Sequence, residues 1–308
     1  MKRWIALLIS LLLIATACSV SAEEDPDALC DKGIEAYKAE DYAAAFELFQ
    51  QAAELGSARG LYNMGVMYGL GHGVEQSYEK AKECYEKSMA QGFEKAAYNL
   101  GVMYRDGDGV EKSLEKAIEL FEFAAERGEA YALYNLGLMY NNGEGVEQNG
   151  AKAEEYYIRA GEAGYAAAYY NLGLMYQDGV AINQDFDKAF AYFTKAADLG
   201  SSGAIYMLGF DYYEGDGVEQ SFEKAYEYWL AAAKLGEYNA YEALGELYRD
   251  GTAVEQDYEK AADLFWKSWT DGGEEKGYTE GKENFEKLIE EGKIPADYVP
   301  KDVEFPEK

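Results

Sequence analysis

Residues 98–110 read Tyr98-Asn99-Leu100-Gly101-Val102-Met103-Tyr104-Arg105-Asp106-Gly107-Asp108-Gly109-Val110. The same phrase returns 36 residues later as Tyr134-Asn135-Leu136-Gly137 through Tyr140, and again as Tyr170-Asn171-Leu172-Gly173 through Tyr176. An earlier copy runs from Tyr62-Asn63-Met64-Gly65 to Tyr68. Two later copies drift, Tyr206-Met207-Leu208-Gly209 to Tyr212 and Glu242-Ala243-Leu244-Gly245 to Tyr248. Apolar residues spaced three and four apart mark one helical face. A glycine inside a helix costs roughly 1 kcal/mol against alanine. Its return in every copy predicts a neighbour packed too close for a side chain.

Outward from this phrase, each copy leads into a second helix. With a period of 36 from Asp41, the blocks open on Asp41, Ser77, Ser113, Asn149, Asp185, Ser221 and Asp257, all residues that cap helix N-termini. Four residues on stands Ala45, Ala81, Ala117, Ala153, Ala189, Ala225 or Ala261. Four further comes an aromatic: Phe49, Tyr85, Phe121, Tyr157, Phe193, Trp229 or Phe265. Small and large residues thus share a face. Gly56 and its equivalents up to Gly272 then end the helix in a conformation open to glycine.

The pattern A-x-Y-N-L-G-x-M-Y-x-x-G-x-G-V, followed by D/S-x-x-K-A, an aromatic and A-A-x-x-G, resembles the Sel-1-like repeat, a relative of the tetratricopeptide repeat. The resemblance implies an all-α, right-handed α/α solenoid of stacked helix hairpins. It divides the chain into an N-terminal tetratricopeptide-like hairpin at 25–56, six repeats of 36 residues over 57–272, a capping helix at 273–292 and an extended tail at 293–308. No single hairpin buries both its alanine and tyrosine faces, so neighbours must stack and terminal repeats need a polar cap. Such a stack encloses no large cavity, and function is expected on its curved surface.

The family also implies a site. In tetratricopeptide folds the first helices line a concave groove, and the Asn two before the Gly touches the backbone of an extended peptide. That carries over to Asn63, Asn99, Asn135 and Asn171. The stripe they belong to also presents Arg59, Lys95, Val66, Val102, Leu138, Leu174 and Phe210. An amide satisfies a peptide donor and acceptor together, which suits sequence-tolerant binding. The same amides have a plainer use, bonding the neighbouring helix. Arg59 and Lys95 are the basic positions of the stripe and fall early in the chain, whereas Glu214, Glu246 and Asp250 fall late.

Composition narrows the partner. In 308 residues, 28 Lys and Arg stand against 58 Asp and Glu, a formal charge of −30. That surplus excludes nucleic acid, whose phosphates need cations. It favours a basic protein or peptide partner. The start of the chain reads as an export signal: Lys2 and Arg3, an apolar run from Trp4 to Ile14, then small residues. Ala15-Thr16-Ala17-Cys18 resembles a bacterial lipobox, which would end the signal at residue 17 and place a lipid on Cys18. Val20-Ser21-Ala22 offers an ordinary cleavage site, ending it at 22. Both readings send the mature protein out of the cytoplasm, to the periplasm, a lipoprotein-bearing membrane or the medium, with no membrane contact except through Cys18. A monomer without cofactor or metal is expected.

Three motifs hint at chemistry and are set aside. Ser77-Tyr78-Glu79-Lys80, Ser113-Leu114-Glu115-Lys116 and Ser221-Phe222-Glu223-Lys224 match the S-x-x-K of penicillin-recognising enzymes, but other repeats put Asp or Asn in that slot, as a cap requires and a nucleophile forbids. Some cysteine-rich members of the family have been described as β-lactamase-like, which keeps an envelope-directed hydrolase as an alternative, beside a passive lipid-anchored spacer. Asp106-Gly107-Asp108-Gly109 lacks the donor spacing of a calcium loop. His72 reads as an exposed loop residue. Cys30 and Cys84 fall on helices that should not touch, so no disulfide is expected between them.

Overall fold

The computed structural model describes residues 25–272, 279–303 and 305. The export signal, Cys18, residues 273–278 of the expected capping segment and the last three residues lie outside them. The described residues contain fifteen α-helices and no strand. They fall into two compact units, divided between Arg127 and Gly128.

Unit 1 holds α1 (Pro26–Lys38), α2 (Tyr42–Glu54), α3 (Ala58–Leu70), α4 (Tyr78–Met89), α5 (Glu94–Asp106) and α6 (Leu114–Ala125). Unit 2 holds α7 (Ala130–Asn142), α8 (Gly150–Glu162), α9 (Ala166–Asp178), α10 (Phe186–Asp198), α11 (Ser202–Glu214), α12 (Phe222–Lys234), α13 (Tyr238–Asp250), α14 (Tyr258–Gly272) and α15 (Glu280–Glu290). Odd and even helices pair as hairpins, and within each unit successive hairpins stack, with α15 closing the second. Each unit is therefore an α/α repeat stack.

The sequence explains each boundary. Asp41, Ser77, Ser113, Asn149, Asp185, Ser221 and Asp257 each accept a hydrogen bond from the backbone N–H three residues on, at 3.0–3.3 Å. This satisfies an N–H that the helix itself leaves orphaned. From α3 to α13 the first helices end on a left-handed glycine, as at Gly107 (φ 86°), whereas α1 ends on Ala39.

The recurring mid-helix glycine also has its cause. A Cβ at Gly65 would stand 2.6 Å from the Tyr85 ring, and one at Gly101 2.7 Å from Phe121. Gly137, Gly173, Gly209 and Gly245 face Tyr157, Phe193, Trp229 and Phe265 in the same way. Within each hairpin the aromatic ring packs against the glycine, and these rings are the buried centre.

A third periodic contact holds the hairpin mouth. Lys80, Lys116, Lys152, Lys188, Lys224 and Lys260 place their ammonium groups 4.3–5.2 Å from the ring centroids of Tyr68, Tyr104, Tyr140, Tyr176, Tyr212 and Tyr248. Cation–π contacts of this kind contribute about 0.5–1 kcal/mol each at exposed sites. Both Cys30 and Cys84 are buried free thiols.

Candidate functional site

Within unit 2 the predicted stripe closes into a groove between α7 and α9. Its cavity of about 460 Å³ is lined by Leu138, Asn141, Asn142, Tyr157, Asn171, Leu174, Met175 and Asp178. Unit 1 repeats it between α1 and α3, smaller at about 140 Å³ and more apolar, from Ile34, Tyr37, Phe49, Asn63, Val66 and Met67. Phe49, Asn63, Val66 and Met67 stand 108 positions before Tyr157, Asn171, Leu174 and Met175, so the two are one site at two places in the repeat. A third copy, about 470 Å³, lies between α13 and α15 and is charged: Arg249, Asp250, Asn284, Lys287, Leu288, Glu291 and Lys293.

The four predicted amides do not behave alike. Asn99 Nδ2 donates to the Tyr85 hydroxyl at 3.2 Å, and Asn171 Nδ2 to the Tyr134 hydroxyl at 2.9 Å. Asn135 Nδ2 donates to the Tyr131 carbonyl one turn back at 2.8 Å. Asn63 Nδ2 is sealed from solvent and has no hydrogen-bond partner. The residue beneath Asn63 is Phe49, where the groove of unit 2 has Tyr157 beneath Asn171. Tyr157 in turn is 1% exposed, and its hydroxyl lacks a partner. Burial, with a smaller push from the Tyr134 phenol, raises the Tyr157 phenol far above its ordinary range. Asn99 and Asn171 thus bond a neighbouring helix and Asn135 its own, while two buried polar groups at groove bases are left unpaired. Such groups cost about 1–3 kcal/mol apiece when unpaired.

Val66 and Phe210 are half-buried against neighbouring cores, and Val102, Leu138 and Leu174 are half-buried. Arg59 pairs with Asp31 of α1 at 2.8 Å, whereas Lys95 is exposed. The expectation that basic groove residues fall only early in the chain is corrected: Arg249, Lys287 and Lys293 line the last groove. Arg249 is held there by Asp250 at 2.7 Å and by Glu246 at 3.4 Å.

Asn284 extends the amide series and escaped the sequence reading. It donates to Glu242 Oε1 at 2.9 Å, the same contact that Asn171 makes to Tyr134 in the earlier groove. Glu242 is half-buried, and its carboxyl is raised to about 7, by burial first and then by Glu280 and Glu246. Between α13 and α15 the 36-residue period slips by five residues, which takes Asn284 out of register with the other amides. His72 is also corrected. Rather than an idle loop residue, it accepts from or donates to Tyr37 through Nδ1 at 2.9 Å and stacks on Tyr42 at 4.5 Å.

The S-x-x-K serines are caps in fact. Ser77, Ser113 and Ser221 each accept from the backbone N–H of their own Lys at 3.3 Å, and the lysine ammonium turns to a tyrosine ring. Asp106 is bound by Arg105 at 2.7 and 2.8 Å. Among the described residues no helix is long and apolar enough to cross a membrane.

A stack of hairpins with this glycine, cap and lysine pattern is an α/α repeat of the tetratricopeptide type. Seven segments, 29–57, 58–93, 94–129, 130–165, 166–201, 202–237 and 239–267, match the Sel1 repeat model, and the chain belongs to the Sel1 repeat family. The match takes in the opening hairpin as well as the six units beyond it. Among solved structures, a protective antigen of uropathogenic Escherichia coli displaying an SLR fold superposes with a TM-score of 0.76 at 29% identity, over 87% of this chain and 57% of that one. A Sel1 repeat protein from Oxalobacter formigenes gives 0.69 at 31% identity, over 78% of this chain and 98% of that one. Among curated proteins, HcpC of Helicobacter pylori strain J99, which carries a provisional β-lactamase name, is 41% identical over 56 residues, 18% of this chain and 19% of that protein.

Proposed function

We propose that the protein is a non-enzymatic scaffold that holds an extended protein segment in the grooves between its first helices, at the cell envelope or in the secreted space. The observation that carries this is the recurrence of one groove with open polar groups at its base, Asn63 Nδ2 in unit 1 and the Tyr157 hydroxyl in unit 2. A peptide backbone offers a carbonyl and an N–H at each residue, so it supplies what these groups lack once the side chains turn outward into the groove. Val66, Leu138 and Leu174 give shallow apolar contacts beside them, and the net charge of −30 favours basic segments. The export signal and Cys18 place the scaffold outside the cytoplasm in this reading, released or lipid-anchored. The β-lactamase name of HcpC gains no support here, because each S-x-x-K serine caps a helix.

Selection of displayed random peptides on the full chain tests the proposal. Peptides so obtained should lose at least tenfold in affinity, about 1.4 kcal/mol, for a Leu138→Trp/Leu174→Trp variant that fills the unit 2 groove. Equal affinity for both proteins would remove the groove as the binding site.

A further inference from the structure

The chain does not end at α15. Ile294 is buried beside Phe285 and Leu288, and the backbone then runs without helix along α14. Tyr298 donates its hydroxyl to Asp263 Oδ1 at 2.8 Å, and the backbone N–H of Lys301 donates to the same oxygen at 2.9 Å. The Lys301 ammonium reaches Glu259 at 3.1 Å. Beyond it Val303 and Phe305 pack on the core formed by α12, α13 and α14, and the Phe305 ring stacks on Tyr241 at 5.8 Å.

Tyr241 lies at the floor between two second helices. Its hydroxyl donates to the Ala233 carbonyl of α12 at 2.9 Å, and Lys267 of α14 sits 5.7 Å from its ring. The tail therefore occupies a channel on the side of the hairpins opposite the first-helix grooves. Lys301, Val303 and Phe305 stand two positions apart, and in an extended segment alternate residues share a face. One residue type answers each feature of the surface: a hydroxyl and an N–H for Asp263, a cation for Glu259, an aromatic for Tyr241.

The acidic half of this surface is repeated. Glu223 and Glu227 of α12 stand 36 positions before Glu259 and Asp263, and both are exposed. The aromatic floor recurs apart from it: Ile205 takes the place of Tyr241 beside Glu223 and Glu227, whereas Tyr169, with Lys195 5.2 Å from its ring, repeats Tyr241 but has Ala191 in place of Asp263. The complete site is thus the one the tail covers.

We propose that the channel between α12 and α14 is a second binding site, for an extended segment bearing an aromatic residue, a lysine three positions on and a further aromatic four beyond that, and that the chain's own tail occupies it as a tethered competitor. A partner segment of that pattern binds by displacing the tail. The site shares no residue with the first-helix grooves, so it stands or falls apart from them.

The test uses the full chain and a fluorescent peptide of residues 295–308. A Tyr298→Ala/Phe305→Ala variant loosens the tail while leaving Ile294 and the channel intact. Anisotropy titration should show the peptide binding this variant at least tenfold more tightly than wild type. Adding Asp263→Ala to the loosened chain should weaken binding at least tenfold again, and Leu138→Trp/Leu174→Trp should leave it unchanged. Equal binding to wild type and the loosened variant would overturn the proposal, as would no binding to the loosened variant, or binding indifferent to Asp263. Circular dichroism and the melting midpoint establish that each variant is folded. Should the loosened chain fail to fold, Phe305→Ala alone is used, and the same outcomes decide.

Discussion

Asp211 is the least comfortable residue in the molecule, and replacing it should stabilise unit 2. At its position in the repeat, Met67, Met103, Met139, Met175 and Leu247 are buried apolar side chains. Asp211 is 1% exposed, and its Oδ2 has no hydrogen-bond partner. Burial, with a smaller push from Asp216, raises its carboxyl to about 7 from 3.8. In the unfolded chain it is ionised above pH 4, so folding must take up a proton or bury a charge. Between about pH 4 and pH 7 the unfolded state holds fewer protons than the folded one, and stability falls as pH rises, by about 1.4 kcal/mol per unit. Above pH 7 both states are ionised and the loss levels off, at about 4 kcal/mol. Asp211→Leu removes that term and refills the slot with the side chain of Leu247. Urea denaturation of wild type and variant at pH 4.5, 6 and 8 should give a small gain at the lowest pH and a gain of about 4 kcal/mol at the highest, with unchanged m-values. Subtracting wild type from variant cancels Glu242, whose raised carboxyl adds a similar slope to both. A gain independent of pH, or a loss, would refute the account of Asp211 as a buried ionisable group.

Gly137→Ala should destabilise by about 1–3 kcal/mol despite alanine's better helix propensity, because its Cβ would stand 2.6 Å from the Tyr157 ring; a rise in melting midpoint would show that the ring has room to move. Tyr157→Phe should leave stability unchanged or raise it by up to about 1 kcal/mol, since the lost hydroxyl has no partner, as denaturation midpoints will show. Ala253 holds φ at +61° in a bend where Gly73, Gly109, Gly145 and Gly217 serve elsewhere; Ala253→Gly should stabilise by roughly 0.5–1 kcal/mol, the relief of left-handed strain exceeding the entropy glycine adds to the unfolded chain.

The fold was readable because its causes are local and repeated. A cap such as Asn149 needs only the N–H of Lys152, and Gly173 needs only the ring of Phe193. Seven copies of such a relation define a hairpin stack without reference to anything distant. The site was readable in outline, since Leu138, Asn171 and Leu174 do line one groove, but not in its hydrogen bonding. Whether a ladder amide is occupied depends on residues in another helix. Asn99 is satisfied by the hydroxyl of Tyr85 and Asn171 by that of Tyr134, Asn135 finds a carbonyl of its own helix, and Asn63, with Phe49 at the position of Tyr85, is left unpaired. In the repeat pattern phenylalanine and tyrosine fill the same slot, and the hydroxyl that separates them leaves no mark on the period. Asn284 was hidden by the slip of five residues, and the tail by its lack of any period.

The two faces of unit 2 differ in kind, which bears on what each can hold. The lysines of the D/S-x-x-K motif lie on tyrosine rings at the hairpin mouths while keeping their charge, and Lys188 also pairs with Asp185 at 3.9 Å. The outer side of the second helices is left with exposed acids such as Glu223, Glu227 and Glu259, and the tail meets them with Lys301. The groove between α7 and α9 is instead lined by amides, aliphatics and one acid, Asp178. Exposed charge pairs weaken as the Debye length falls to about 10 Å at 0.1 M salt, whereas apolar contacts and sealed hydrogen bonds do not. Selectivity on the outer channel therefore comes from charge and one aromatic anchor. In the inner groove it comes from backbone geometry, which any extended segment shares. On the proposed reading, a chain built this way would hold many sequences weakly along one side and admit few on the other, its own tail the first of those few.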